Sequence, residues 1–181
     1  MKDEIKKACE VLQKGGVILY PTDTVWGIGC DATNEEAVRR VYEIKKRADS
    51  KAMLVLVDTP VKVDFYVKDV PVVAWDLIEM ATRPLTIIYD GARNLAPNLI
   101  AEDGSVGIRV TNEEFSRQLC FRFRKAIVSL RPISVASRLL PCSVKSVKRF
   151  LTRWIMWWIT VVKKPDTPNL PVLSVWVQAA L

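Results

Sequence analysis

Three segments carry residue types that could do chemistry. The first is PTDTVWGIGCDA, residues 21–32, where two threonines and an aspartate follow an apolar run. Hydroxyls and a carboxylate at the C-terminal mouth of a strand lie where α/β sheets commonly bind ligands. Gly27 and Gly29 allow close backbone approach. A plain turn with Asx and hydroxyl caps fits the same residues, and the glycine spacing matches neither the Rossmann nor the P-loop pattern. The second is IKKRADSKAM, residues 44–53, with Lys45, Lys46, Arg47 and Lys51 just before another apolar run. On a helix Lys45 and Arg47 would point about 200° apart. In extended chain they share a face, so joint action requires the helix to end near Ile44. A fork of cations suits a polyphosphate; a solvated basic helix end, favoured by the dipole, suits it as well. The third is SVGIRV, residues 105–110. Arg109 in an apolar strand is costly unless paired, which points to a bound anion or to a structural salt bridge.

Alternating helices and strands must position these segments. Ile5, Ala8, Cys9, Val11 and Leu12 form one face of a helix over residues 3–13, and Gly15-Gly16 ends it. Residues 16–20 form a short buried strand, and Pro21 to Thr24 turn out of it. A second helix begins near Thr33, where Thr33 and Glu36 have capping-box spacing; Val38, Val41 and Tyr42 are its apolar face. Residues 52–57 read as a buried strand. Proline opens a helix over 71–81, and residues 85–89 and 105–110 read as strands. Thr111 and Glu114 give a second capping box, with Phe115, Leu119 and Phe123 on the helix that follows. Residues 126–129 start one more strand. This alternation predicts an α/β (α+β) sheet covered by helices.

The 181 residues suggest one domain, or one and a small appendage. The absence of histidine excludes His-based triads, His metal sites and imidazole acid–base catalysis. Cys9, Cys30, Cys120 and Cys142 are scattered without a CxxC pair, so a zinc site or disulfide framework is not expected and a reducing compartment is. The N-terminal sixteen residues are charged and amphipathic, so a signal peptide is not expected in them. The net charge of +7 is unevenly placed. Residues 1–129 hold 19 Lys+Arg and 19 Asp+Glu; residues 130–181 hold eight basic residues and one acid, Asp166. The latter stretch also has four of the six tryptophans and none of the seven glycines, so the two parts need separate treatment.

Taken in order, PTDTVWGIGCDA, IKKRADSK, RPLTIIYDG (83–91), SVGIRV and AIVS (126–129) resemble the YrdC-like family, the threonylcarbamoyl-AMP synthases. The resemblance spans roughly residues 5–129, with Trp26 where the family usually has tyrosine or phenylalanine. It implies a YrdC-like twisted mixed β-sheet with flanking helices and a concave basic cleft. It also implies a nucleotidyltransferase reaction. L-threonine, bicarbonate and ATP, with Mg²⁺, give threonylcarbamoyl-AMP and pyrophosphate in the cytoplasm. A downstream tRNA threonylcarbamoyl transferase then uses the product to modify adenosine. By motif position, Thr24, Arg109 and Ser129 would contact threonine or its carbamate, with Thr22 shaping that pocket. Lys45, Arg47, Lys51 and Ser105 would face the ATP phosphates. The carbamate is itself the nucleophile, so alignment of two anions and charge neutralisation suffice. No dedicated catalytic side chain or protein-held metal is then expected. The resemblance also admits a double-stranded RNA-binding module without catalysis. A carbamoyl-transfer domain of hydrogenase maturation is a weaker fit without acylphosphatase-like and zinc-finger neighbours.

After AIVS the family continues Thr-Ser-Ala-Asn-x-Ser-Gly, part of the nucleotide site, whereas this chain reads LRPISVASRLL. A reading shifted by one nucleotide restores the family pattern. From Ser129 onward, allowed codons give Thr-Ser-Ala-Asn-Ile-Ser-Gly. Tryptophan and methionine have one codon each and are stricter: residues 154–160 then admit Asp-Tyr-Val-Val-Asp-Tyr, and Trp176-Val177 forces glycine. Residues 130–181 are therefore expected to be an out-of-frame tail, and residues 1–129 an incomplete YrdC-like domain with impaired activity. Such a tail has no reason to match the sheet, and its exposed tryptophans would make it sticky. Residues 150–162 could instead be an interfacial membrane segment or a basic–aromatic nucleic-acid arm. They are too short, and broken by Arg153, to span a bilayer, so no membrane partner is expected.

Overall fold

The computed structural model describes residues 1–24, 26–45, 53–130, 157–158 and 176–179. Helix α1 (Lys2–Gln13) buries Ile5, Ala8, Val11 and Leu12. Gly15, at φ 71°, ends it: its N–H donates to the Leu12 carbonyl and that of Gly16 to Val11. This is the Schellman arrangement the Gly-Gly pair suggested. Strand β1 (Val17–Pro21) then runs antiparallel to β2 (Trp26–Gly29), with Ile18 opposite Gly29 and Pro21 opposite Trp26. Strand β2 escapes the sequence reading because two of its four residues are glycine, which weakens any strand signal.

Helix α2 (Glu35–Lys45) is capped by Asn34, whose side chain accepts from the Ala37 N–H at 3.1 Å. Thr33 is not the cap: its N–H and hydroxyl both donate to Asp31, at 2.8 and 2.7 Å, in an Asx turn one residue earlier. Strand β3 (Leu54–Val57) leads into α3 (Val61–Tyr66), a short helix not foreseen; its signal is the buried Val63, Tyr66 and Val67 after Pro60. Helix α4 (Val72–Met80) follows Pro71, and β4 (Ile87–Tyr89) and a 3-10 turn at Pro97–Leu99 lead to β5 (Val106–Val110). Helix α5 (Glu114–Phe123) is capped by Glu113, which accepts from the Ser116 N–H at 2.8 Å. The expected cap, Thr111, is instead buried and hydrogen-bonded to Asp23 and Ser116. Strand β6 (Ile127–Ser129) closes this part.

One sheet has the order β4-β5-β3-β6, mixed because β3 pairs parallel with β5 and antiparallel with β6. Backbone hydrogen bonds between Ile28 and Leu130, and from Val128 N–H to the Cys30 carbonyl, join β6 to the end of β2. Strand alternation sends side chains to two cores. Ile18, Tyr20, Leu56 and Ile127 pack under α1 and α5. Val17, Val55, Val57, Ile108 and Val128 pack under α2 and α3. The expected α/β sheet with helices on its faces is thus observed.

Two pieces of the tail are strands. β8 (Trp176–Ala179) lies antiparallel on β1, Ile18 opposite Trp176, and β7 (Trp157–Trp158) pairs with β8, giving the order β2-β1-β8-β7. This departs from the expectation that the tail matches no part of the sheet. An open edge at Val17 and Ile18 is a template for any β-prone segment, and Trp-Val is such a segment. The remainder of residues 131–181 lies outside the described residues.

Candidate active site

The hairpin loop and the strand ends place three of the four residues expected at threonine, Thr22, Arg109 and Ser129, on one face of the sheet. Register sets Ser129 opposite Leu54 and Leu54 opposite Gly107, with Arg109 two residues on, opposite Leu56. Leu56 and Ile127 belong to the core under α1 and α5, so Ser129 and Arg109 share that face. Tyr20 also packs there, and Thr22 follows it by two residues.

Gly27 and Gly29 fulfil the close-approach expectation, each differently. A β-carbon at Gly29 would lie 2.3 Å from the Val128 carbonyl oxygen and 2.6 Å from the Tyr20 ring. A β-carbon at Gly27 would meet the Thr22 methyl at 2.9 Å and the Ser129 hydroxyl at 3.0 Å. Thr22 and Ser129 therefore converge above Gly27. Beneath them the Tyr20 hydroxyl donates to the Val128 carbonyl at 3.0 Å. Burial, then the neighbouring Cys120, pushes the Tyr20 phenol well above its ordinary range; a side-chain hydrogen bond with Ser129 works the other way. Tyr20 stays neutral and serves as a buried support for Ser129.

Arg109 is half-buried, and its Nε and Nη2 both donate to the Thr86 hydroxyl, at 3.0 and 2.7 Å. Thr86 belongs to the RPLT segment before β4, and its methyl would lie 3.5 Å from a β-carbon on Gly107. Sequence reasoning missed Thr86 as a holder of Arg109. The available signal was a threonine in a segment already chosen by motif. Thr24 is exposed in the bend between β1 and β2.

Asp23, in the same bend, accepts three hydrogen bonds: from the Thr111 hydroxyl at 2.8 Å and from the N–H groups of Asn112 and Glu113 at 2.7 and 2.9 Å. A cavity of about 290 Å³ opens beside it, lined by Thr22, Asp23, Thr82, Arg83, Pro84, Asn112 and Glu113. Its size suits a small polar ligand rather than a drug-sized one. Thr22 is the expected site residue on this lining; Arg83 is a cation that motif position had not singled out.

The expected phosphate group is placed only in part. Ser105 is buried just before β5, and its hydroxyl and N–H both bond Asp103, holding that carboxyl below its usual range. Lys45 is the last residue of α2 as described. Arg47 and Lys51 lie outside the described residues, and with them the expected cation fork and basic cleft. Among the described residues no three carboxylates or thiols gather as a metal centre. Among the described residues no helix is long and apolar enough to cross a membrane.

The model of the Sua5/YciO/YrdC family, described as telomere recombination, matches residues 10–136. The chain belongs to this family. A threonylcarbamoyl-AMP synthase of Pseudoalteromonas translucida is 33% identical over 128 residues, covering 69% of this chain and 68% of that protein. A threonylcarbamoyl-AMP synthase of Saccharophagus degradans is 27% identical over 171 residues, covering 92% and 88%, so this likeness continues into the tail. Among solved structures, E. coli YciO superposes with a TM-score of 0.69 at 23% identity, over 84% of this chain and 75% of that one. P. abyssi Sua5 complexed with L-threonine superposes at 0.68 and 22% identity, over 72% of this chain and 38% of that one. These likenesses establish the Sua5/YciO fold, and the synthase relatives place the chain in a transferase lineage.

Proposed function

We propose that this family member is a threonylcarbamoyl-AMP synthase by lineage. The L-threonine amine and bicarbonate give a carbamate and water; a carbamate oxygen then attacks the α-phosphorus of ATP and displaces pyrophosphate. The product supplies the threonylcarbamoyl group for tRNA through a downstream transferase, in the cytoplasm. The observation that carries the reading is the convergence of Thr22 and Ser129 above Gly27, on the sheet face that also bears Arg109. Two hydroxyls and a guanidinium are the groups that bind an amino acid's hydroxyl and carboxylate. In this reading Thr24 joins them in closing the bend over threonine, and Lys45, Arg47, Lys51 and Ser105 attend the ATP phosphates with their Mg²⁺.

The same proposal includes an impaired chain. Residues from about 130 onward are read as out of frame, because one lost nucleotide near the Ser129 codon accounts together for the charge break, the tryptophan excess and the missing glycines. The experiment is threonine-dependent pyrophosphate release by the purified chain, with the coding DNA resequenced across the Ser129 codon. The chain as written is expected to release pyrophosphate weakly, and release at a rate normal for a synthase would overturn the impairment. If resequencing supplies the missing nucleotide, the protein has the complete motif and the active-synthase reading stands; if the frame stands as written, the chain is a damaged synthase with an unselected tail.

A further inference from the structure

Asp23 is a carboxylate next to Thr22, in a site proposed to bind an amino acid's carboxylate, which calls for a physical reason. Its oxygens are already engaged. Oδ1 accepts the N–H groups of Asn112 and Glu113, just before α5, where the unpaired N–H groups of a helix start favour an anion. Oδ2 accepts the Thr111 hydroxyl. Thr111 is itself anchored, its N–H donating to the Val57 carbonyl at the end of β3 at 2.9 Å, and its hydroxyl lying 2.7 Å from that of Ser116 on α5. With three of about four acceptor sites filled, Asp23 is poorly placed to take a proton from substrate.

We propose that Asp23 is a positioning residue for the amino-acid substrate: its carboxylate clasps the β1–β2 bend to the β5–α5 corner and so sets the span between Thr22 and Arg109. Thr22 immediately precedes Asp23, and Arg109 lies two residues before Thr111. The clasp therefore joins the two walls that a bound threonine must bridge. Without it, binding must order the backbone of that bend at an entropic cost. This inference rests on the threonine-binding reading above.

The test is calorimetric titration of the full chain with L-threonine, with circular dichroism to confirm the fold. Asp23→Ala removes the clasp and should raise the dissociation constant about tenfold or more. Asp23→Asn can keep it: the amide oxygen accepts both N–H groups, and the amide nitrogen donates to the Thr111 hydroxyl. It should bind within about twofold of the parent. Thr111→Val removes one strand of the clasp, should weaken binding about threefold, and decides the matter where Asp23→Ala does not fold. Parent-like binding by Asp23→Ala, or by Thr111→Val in its place, overturns the proposal. So does Asp23→Asn binding as weakly as Asp23→Ala, because charge rather than position would then matter. Absence of threonine binding by the parent chain is a separate result: the functional reading fails, and a lowered melting temperature of Asp23→Ala would mark a purely structural contact.

Discussion

Alanine at Gly29 and at Gly27 should fail in opposite ways, although both residues lie on β2 and face the same side. At Gly29 the added carbon meets a backbone oxygen at 2.3 Å, and real contacts of that kind essentially never fall under 3.0 Å. The Val128 carbonyl must retreat by at least the difference, 0.7 Å. That oxygen accepts the Tyr20 hydroxyl, and the Val128 N–H donates to Cys30 at 2.9 Å, so both bonds are disturbed. Overpacking costs about 1–3 kcal/mol, and a buried polar group left unsatisfied costs about 1–3 kcal/mol. Alanine's lower backbone entropy in the unfolded chain returns about 0.5–1 kcal/mol. A net loss of about 1–5 kcal/mol follows, a sizeable part of a typical stability of about 5–15 kcal/mol. At Gly27 the neighbours are a methyl group and a hydroxyl at the ends of Thr22 and Ser129, which can rotate aside. Gly27→Ala should therefore cost about 1 kcal/mol or less of stability, while filling the space in which threonine would sit. The assay is urea unfolding for both variants, with and without L-threonine. Gly29→Ala should lower the midpoint by about 1–2 M. Gly27→Ala should leave the midpoint nearly unchanged but abolish its rise with threonine. A Gly29→Ala midpoint equal to the parent's would refute the close approach of β2 and β6. Equal destabilisation by both variants would refute the division between a structural and a ligand-facing glycine.

Three further outcomes follow from particular contacts. Thr86→Val removes the hydroxyl that accepts from Arg109 twice and should weaken threonine binding by about 1 kcal/mol, whereas Thr86→Ser should not; titration calorimetry on both variants decides it. Lys62 pairs with Asp58, whose side chain is 3% exposed, and donates to the Cys120 carbonyl at 3.2 Å. Lys62→Met should cost about 3 kcal/mol by stranding that carboxylate, read as a drop in the urea midpoint, and a parent-like midpoint would refute the buried pair. Burial pushes the Cys30 and Cys120 thiols far up. Their folded pKa exceeds the unfolded one, so the stability they contribute is complete below the ordinary thiol value of about 8.5 and is lost as pH rises past it. Both should resist thiol reagents in the native chain while half-buried Cys9 reacts, and the urea midpoint should fall from about pH 8.5 upward.

What sequence made legible was whatever depends on periodicity. α1, α2 and α5 announce their buried faces at helical spacing, and β3, β5 and β6 are short apolar runs. The Gly-Gly stop of α1 was equally plain, because a left-handed residue there admits little else. Caps failed where two capping candidates lay within two residues of each other. Thr33 precedes Asn34 and Thr111 precedes Glu113 by two, and another carboxylate decides each: Asp31 takes Thr33 in a local Asx turn, and the distant Asp23 takes Thr111. β2 failed because its glycines answer in part to Val128 and Ser129, which lie far along the chain and outside any local window.

The site divides along the same line. Motif position could nominate Thr22, Ser129 and Arg109, since each sits at a strand end and strand register then dictates a common face. It could not nominate the groups that hold them. Thr86 reaches Arg109 across 23 residues, and Asp23 reaches Asn112 and Glu113 across 89 and 90. Such supports are ordinary polar residues in ordinary turns, and only the pairing of distant turns gives them a task. The consequence for the tail is specific. Thr22, Arg109 and Ser129, with Asp23 and Thr86 behind them, all lie within residues 1–129. On the proposed reading, an out-of-frame sequence after Ser129 would thus remove the part of the nucleotide site that follows Ser129 and leave the proposed threonine residues in place. Threonine binding without turnover is the signature of that state, and it separates a truncated synthase from a chain that never bound threonine at all.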